Sequence, residues 1–542
     1  MITDNVRHQV QERLNREYSA QAGGQAMPQP QLAPAPAHVE ADMALSWPLA
    51  ACKPLKKNPL ALAEEAAALL AGADGVSAAG ASKPGFINIT LSDKTLWDNL
   101  DACAKSPAEA VRQQEKFSGK LLFEFVSANP TGPLHVASGR GASLGDSLVR
   151  IHNALGIATD AEYYVNDAGA QTQLLGASLK ARAAGQEPPE NGYHGDYLKD
   201  LAAQLPPEHA GWSELQYAAF AMDRMLASHK EDMKSFRVEF KTWFRESELH
   251  KRQAWKSTLE RMKGLGKVYE KEGAVWFGSS AEDTEEKDDK DRVLVRSDGR
   301  PTYFLNDIAY HDDKYARGYT GLIDIWGADH HGYVPRMKAA VAALGKDPDS
   351  FRVIIHQLVL LNKAGQAVKM SKRAGEFITL RELLEDVGPD ACRFFFAART
   401  PNSHLNFDID LAKKKTQENP VYYVQYVHAR ICSIFRSAQG QFTPAPPKPG
   451  APKPEKQERL LLSKLLWYQE TLKTCARDLS PHHLAAYLLE LAGLFHPFYD
   501  SCRVLDQSQP ELSASRLYLC QGVRNVIAHG LDLLGVTAPE QM

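Results

Sequence analysis

Residues 121–146 constrain the fold more than any other stretch of this chain. Leu121, Leu122, Phe123, Phe125 and Val126 form the short apolar run of a strand buried on both faces, as in a parallel sheet. Pro130, Gly132 and Pro133 break that run, and a helix is expected to open after His135. Gly139 and Gly141 stand where a backbone would let a ligand come close. A helix behind such a strand directs unpaired N–H groups and a positive dipole end outward, which suits a polyphosphate. The glycine spacing matches neither the dinucleotide fingerprint nor the P-loop, so the stretch outlines a nucleotide site without fixing its type.

The rest of the chain can be arranged around that unit. A second strand is expected from Ala161, helical pattern near 302–316, and another strand from Gly321 to Trp326. Strands alternating with helices, interrupted by an insertion at about 172–292, predict an α/β fold with a doubly wound parallel sheet over 115–380. Helical stretches are expected within the insertion near 170–183 and 211–241, and the acidic run 281–292 reads as a solvated loop. Residues 1–110 read as a small α/β domain, with a helix over 3–18, an extended Gln/Ala/Pro-rich loop over 21–37 and a strand over 84–91. A connector over 381–418 leads to an all-α bundle over 419–542. Its helices are expected at 421–438, 459–479, 482–502 and 515–536.

A chain of 542 residues is long enough for three or more domains. The net charge of −3 neither advertises nor excludes nucleic-acid binding, which needs only a local basic stripe. Seven scattered cysteines without a C-x-x-C pair argue against a zinc module or a disulfide framework and favour a reducing compartment. No signal peptide or membrane span is visible, so the cytoplasm is expected.

Lys369, Ser371, Lys372 and Arg373, set between Gly365 and Gly375, make a cationic loop with glycine hinges. His135-Val136-Ala137-Ser138 resembles the HIGH signature of class I aminoacyl-tRNA synthetases, and Lys369-Met370-Ser371-Lys372-Arg373 resembles their KMSKS signature. Residues 123–135, 163–169, 298–304, 327–333, 419–426 and 530–536 are similar to bacterial-type arginyl-tRNA synthetases.

The resemblance implies an enzyme that uses ATP to activate L-arginine and passes it to the 2′-hydroxyl of the terminal adenosine of tRNA(Arg). It implies a Rossmann-like class I catalytic domain, an N-terminal domain that contacts the tRNA elbow, and a bundle that reads the anticodon. Catalytic roles fall to His135, Ser138, Lys369 and Lys372, and ATP contacts to these and to Ala137, Gly139, Gly327, Asp329, Val368, Met370 and Ser371. Glu124, Tyr303 and Asp307 look like the arginine side-chain pocket, with Ser127 beside them, while Asn129 and His330 would hold the α-amino and carboxylate groups. Tyr303 and Asp307 lie four apart on an expected helix and so share a face, and a carboxylate with an aromatic plane separates a guanidinium from an ammonium. Tyr423, Gln425, Tyr426 and Arg430 would meet the tRNA. Magnesium is expected with the ATP phosphates, without a dedicated carboxylate cage or other metal site, in a monomer.

Two departures stand out. The family has glycine and histidine where this chain has Ala137 and Ser138. If that histidine acts through one transition-state hydrogen bond, its loss costs about 2–4 kcal/mol. The N-terminal domain has His38-Val39-Glu40-Ala41-Asp42 where the family reads His-Gly-Asp. Alternative readings are a non-enzymatic paralogue that binds tRNA or arginine as a regulator, and a ligase of the same fold with another acceptor or amino acid.

Overall fold

The computed structural model describes residues 2–542 except 24, 37, 114–116, 283, 285–287 and 368–377. Its centre is a five-stranded parallel sheet built from β1 (Leu121–Glu124), β2 (Thr159–Val165), β3 (Thr242–Arg245), β4 (Gly321–Gly327) and β5 (Phe351–His356). The strand order is β5-β4-β1-β2-β3. This is the doubly wound order that the sequence predicts: growth of the sheet reverses at β1, leaving a crevice outside the carboxyl ends of β1 and β4.

Helix α1 (Val136–Ala154) crosses from β1 to β2, and most of its surface is buried. It lies so close to β1 that a Cβ on Gly145 would sit 2.3 Å from Phe125 Cγ, which only glycine avoids. In the insertion, α2 (Glu214–Ser235) packs over the turn that follows β1, and α3 (Tyr303–Ala316) precedes β4. Thr302 caps α3 by accepting from the Leu305 N–H at 3.4 Å, and Phe304, Leu305 and Ile308 bury its apolar stripe.

The structure differs from the sequence expectation in three places here. The span 172–292 is not wholly an insertion, because β3 lies within it and extends the parallel sheet. The parallel pattern also does not resume directly after residue 292. Arg292–Val295 is instead an edge of a separate antiparallel sheet with Ala274–Phe277 and Val268–Lys271. The acidic run is also partly structural, since Asp288 is buried, accepts from Ser279 Oγ at 2.7 Å and pairs with Arg292 Nε at 2.9 Å.

At the N-terminal end, a four-stranded antiparallel sheet runs in the order Leu32–Pro34, Met43–Leu45, Phe86–Leu91, Val76–Ser82. The segment expected as an extended loop thus supplies an edge strand. Beyond residue 378 come α4 (Leu380–Val387), α5 (Pro389–Ala397), α6 (Pro420–Ala438), α7 (His482–Ser501) and α8 (Pro510–Leu533). The single helix expected over 459–479 is two, Lys456–Leu465 and Tyr468–Arg477. Arg393 of α5 is fully buried and joins three regions. It pairs with Asp146 of α1 at 2.5 Å and donates to Leu534 O at 2.6 Å and Phe236 O at 3.0 Å.

Candidate functional site

The crevice is built first by the backbone that leaves β1. Glu124 ends the strand, and the next turn forces Val126 and Ser127 into left-handed conformations, with φ of 70° and 40°. A β-branched residue there is strained by about 1–3 kcal/mol, a pattern that clusters at functional sites. The turn is pinned by the carbonyls of Ala128, Thr131 and Gly132, which accept from Tyr163 Oη at 2.9 Å, Tyr197 Oη at 2.5 Å and a ring nitrogen of His229 at 2.7 Å. Ser127 Oγ donates to Glu124 Oε1 at 2.9 Å and accepts from the Tyr164 N–H at 3.1 Å. Asn129 Nδ2 reaches Gln171 Oε1 at 2.5 Å.

His135 is the N-cap of α1, and its carbonyl accepts from the N–H groups of Ser138 at 3.0 Å and Gly139 at 3.3 Å. Its backbone also forms an antiparallel bridge with Thr379, and the Leu380 N–H donates to Leu134 O at 2.8 Å. The start of α4 is thereby fastened to the start of α1. Gly139 serves that packing: a Cβ there would lie 2.5 Å from Leu380 Cδ1. Ala137 and Ser138 are half-buried on the same turn. Val368, Lys369, Met370, Ser371 and Lys372 lie outside the described residues, whose flanks end at Ala367 and Ile378.

From the other side, β4 ends at Gly327 and leads into the short 3-10 turn Ala328–Tyr333. Asp329 and His330 project from it, exposed, with 3.6 Å between His330 Nε2 and Asp329 Oδ2. Tyr303 opens α3 and is 68% exposed, whereas Asp307 one turn on is half-buried and accepts from Tyr333 Oη at 2.5 Å. The shared face therefore runs from a solvent-facing ring to a partly covered carboxylate. Burial pushes the Asp307 carboxyl up to about 6, with the Tyr333 hydroxyl acting against it. Glu246 and Glu124 add to that upward push, because their charges disfavour a further negative charge on Asp307.

Glu124 is itself buried, and burial pushes its carboxyl upward while Lys314 opposes the shift. Lys314 Nζ lies 2.5 Å from Glu124 Oε2 and 3.0 Å from Asp324 Oδ1. Burial works against this ammonium, but Asp324 and Glu124 outweigh it and raise its pKa. Sequence reasoning missed Lys314, His311, Asp324, Glu246 and Tyr333. One signal could have found them: Asp324 interrupts the apolar strand Gly321–Gly327, and a carboxylate buried there requires a cationic partner.

A second concave surface lies between α6 and α7, a groove of about 850 Å3 lined by Tyr426, Arg430, Arg436, Tyr499, Arg503 and Met542, among others. The Arg430 guanidinium sits 5.1 Å from the Tyr426 ring centre and 4.3 Å from that of Tyr499. Tyr423 packs on His496 at 4.9 Å. Gln425 points away from the groove, and its amide is held by Asp390 Oδ2 and Thr537 O, both at 2.9 Å.

Among the described residues, no group of three or more His, Cys, Asp or Glu is arranged to hold a metal ion. No helix among them is long and apolar enough to cross a membrane.

Comparison with known proteins now bears on these two sites. Residues 106–395 match the catalytic domain of class I (R) tRNA synthetases, residues 4–91 the arginyl tRNA synthetase N-terminal domain, and residues 424–542 the DALR anticodon binding domain. The chain belongs to the arginyl-tRNA synthetases. It is 55% identical over its full length to the whole of an arginine–tRNA ligase from Elusimicrobium minutum. It is 44% identical to one from Nitratidesulfovibrio vulgaris, over 92% of this chain and 93% of that one. The fold matches the arginyl-tRNA synthetase of Thermus thermophilus over 100% of both chains, with a TM-score of 0.80 at 23% identity.

Proposed function

We propose how this chain performs the reaction of its family, the ATP-dependent ligation of arginine to tRNA. It is an aminoacyl-tRNA ligase for arginine, and its class I catalytic domain uses ATP. The arginine carboxylate attacks the α-phosphorus, pyrophosphate leaves, and the 2′-hydroxyl of the terminal tRNA adenosine then takes the arginyl group. No protein nucleophile is needed, so catalysis rests on positioning and on stabilising charge at phosphate oxygens.

The reading is carried by one observation: buried Glu124 and half-buried Asp307 share a crevice with the N-terminal end of α1. The carboxylates receive the guanidinium, and the exposed Tyr303 ring covers the entrance. Ser127 orients Glu124, while Asn129 and His330 hold the α-amino and carboxylate groups. His135 donates to the ATP phosphates at the mouth of α1, where Ala137, Ser138 and Gly139 form the floor and Gly327 and Asp329 the facing wall. Val368, Lys369, Met370, Ser371 and Lys372 contribute ATP contacts, with Lys369 and Lys372 neutralising the departing pyrophosphate. Magnesium, held by the ATP phosphates and not by a carboxylate cluster among the described residues, would screen their charge. Residues 1–110 contact the tRNA elbow, 115–380 carry the chemistry, 381–418 meet the stem and 419–542 read the anticodon. Tyr423, Tyr426 and Arg430 supply aromatic faces and positive charge for unstacked bases, and Gln425 supports them from within. The protein works as a monomer in the cytoplasm.

Arginine-dependent exchange of pyrophosphate into ATP, with and without tRNA, tests this reading. Exchange that requires arginine is expected, and tRNA binding without exchange in either condition would instead mark a regulatory paralogue. The double variant Ala137→Gly, Ser138→His measures how far the altered signature limits the rate.

A further inference from the structure

Helix α3 carries half-buried Asp307 and buried His311 and Lys314 along one face, and the reaction described above assigns no role to the last two. Lys314 is fully buried. Its ammonium donates to Glu124 Oε2 at 2.5 Å and Asp324 Oδ1 at 3.0 Å, and lies 4.4 Å from the centre of the Tyr310 ring. His311 completes the set: Nδ1 is 2.8 Å from Asp307 O, and Nε2 is 3.0 Å from Asp324 Oδ2. The ring is thereby anchored at both nitrogens. The remaining Glu124 oxygen accepts from Ser127.

We propose that Lys314 is a positioning residue for arginine recognition: a resident cation that keeps Glu124 ionised and fixed in the empty pocket, so that the substrate guanidinium meets a preformed carboxylate. This rests on reading Glu124 as part of the arginine pocket. The charged and titratable groups facing Glu124 are Asp307, Tyr310, His311 and Lys314 from α3, Asp324 from β4 and Tyr164 from β2, with Glu246 beyond Tyr164. Asp324 also meets His311, so the cation in direct contact with Glu124 is Lys314. Without Lys314, desolvation would drive a proton onto Glu124, removing the charge that the substrate needs.

The test is the KM for arginine in tRNA-supported pyrophosphate exchange, measured from pH 7 to pH 9. Lys314→Met should raise it at least tenfold at pH 7 while the KM for ATP stays within twofold, and the deficit should shrink toward pH 9 as Glu124 ionises. Lys314→Met combined with Glu124→Gln should lose no more than Glu124→Gln alone. A loss that is independent of pH, or that adds to that of Glu124→Gln, overturns the proposal. If Glu124→Gln leaves the arginine KM unchanged, it is the pocket reading that fails. If Lys314→Met does not fold, calorimetry on the unaltered protein decides. Arginine binding at pH 8, compared in two buffers of different ionisation heat, should release no proton, and release of one would mean that Glu124 is already protonated beside Lys314.

Discussion

The reaction crevice and the groove on the helical bundle recognise charge in opposite ways. In the crevice, Glu124 and Glu246 are buried and Asp307 is half-buried, and each carboxylate is fixed by a named partner: Lys314 and Ser127 for Glu124, His250 for Glu246 and Tyr333 for Asp307. In the groove, Arg436 and Arg503 are exposed, Arg430 is only half-buried, and the tyrosines beside it leave an open space of about 850 Å3. A few desolvated charges can select one small cation, because each mismatch is costly in a water-poor site. Exposed charges are individually weak, so a surface for a polyanion must act through number, ring stacking and counterion release.

That contrast can be broken by substitution. Asp307→Asn should lower kcat/KM for arginine by about 10²–10³, as expected when one partner of a buried, hydrogen-bonded charge pair is removed. Its affinity for tRNA, measured by filter binding, should not move. If tRNA affinity falls with it, the two regions are not separate recognition devices.

The next largest effect is expected with pH. Asp307 titrates at about 6 in the empty site, above the ordinary carboxylate value of 3.8. It must be ionised to receive the guanidinium, so arginine affinity should fall about fivefold between pH 6 and pH 5. The stability effect has the opposite sign. A carboxyl raised on folding favours the native state at low pH, and that advantage disappears as pH rises from about 4 through 6. Arginine should therefore raise Tm more at pH 7.5 than at pH 5, and equal shifts would show that Asp307 does not face the ligand.

A smaller effect belongs to the groove. Arg430→Ala should raise the KM for tRNA about fivefold, leave the KM for arginine unchanged and reduce the slope of log affinity against log salt by about 1. An unchanged salt slope would place Arg430 outside the tRNA contact.

Much of this arrangement is legible in the sequence because it rests on long patterns. The apolar run at 121–126 with its Pro/Gly turn locates the crevice, and the apolar stripes beyond 419 locate the bundle. What escapes is short or inverted in polarity. Thr242–Arg245 offers four residues, too few for alternation to separate a strand from a loop, and its place is fixed by pairing with β2. Lys314 reads as a solvated lysine near the end of a helix. Only the fold brings Glu124 and Asp324 around it from two adjacent strands. Gln425 errs in the other direction, since a polar residue next to Tyr426 and close to Tyr423 reads as surface but is held inside the bundle.

The left-handed turn at Val126 and Ser127 also leaves a means of observation. It brings the Ser127 hydroxyl between Glu124 and the peptide nitrogen of Tyr164, so one oxygen answers to both. When a ligand draws charge from Glu124, that hydroxyl turns or slackens, and the Tyr164 amide feels it directly. Its nuclear magnetic resonance signal and its rate of deuterium uptake should then act as a gauge of what occupies the site, without a label placed anywhere near it.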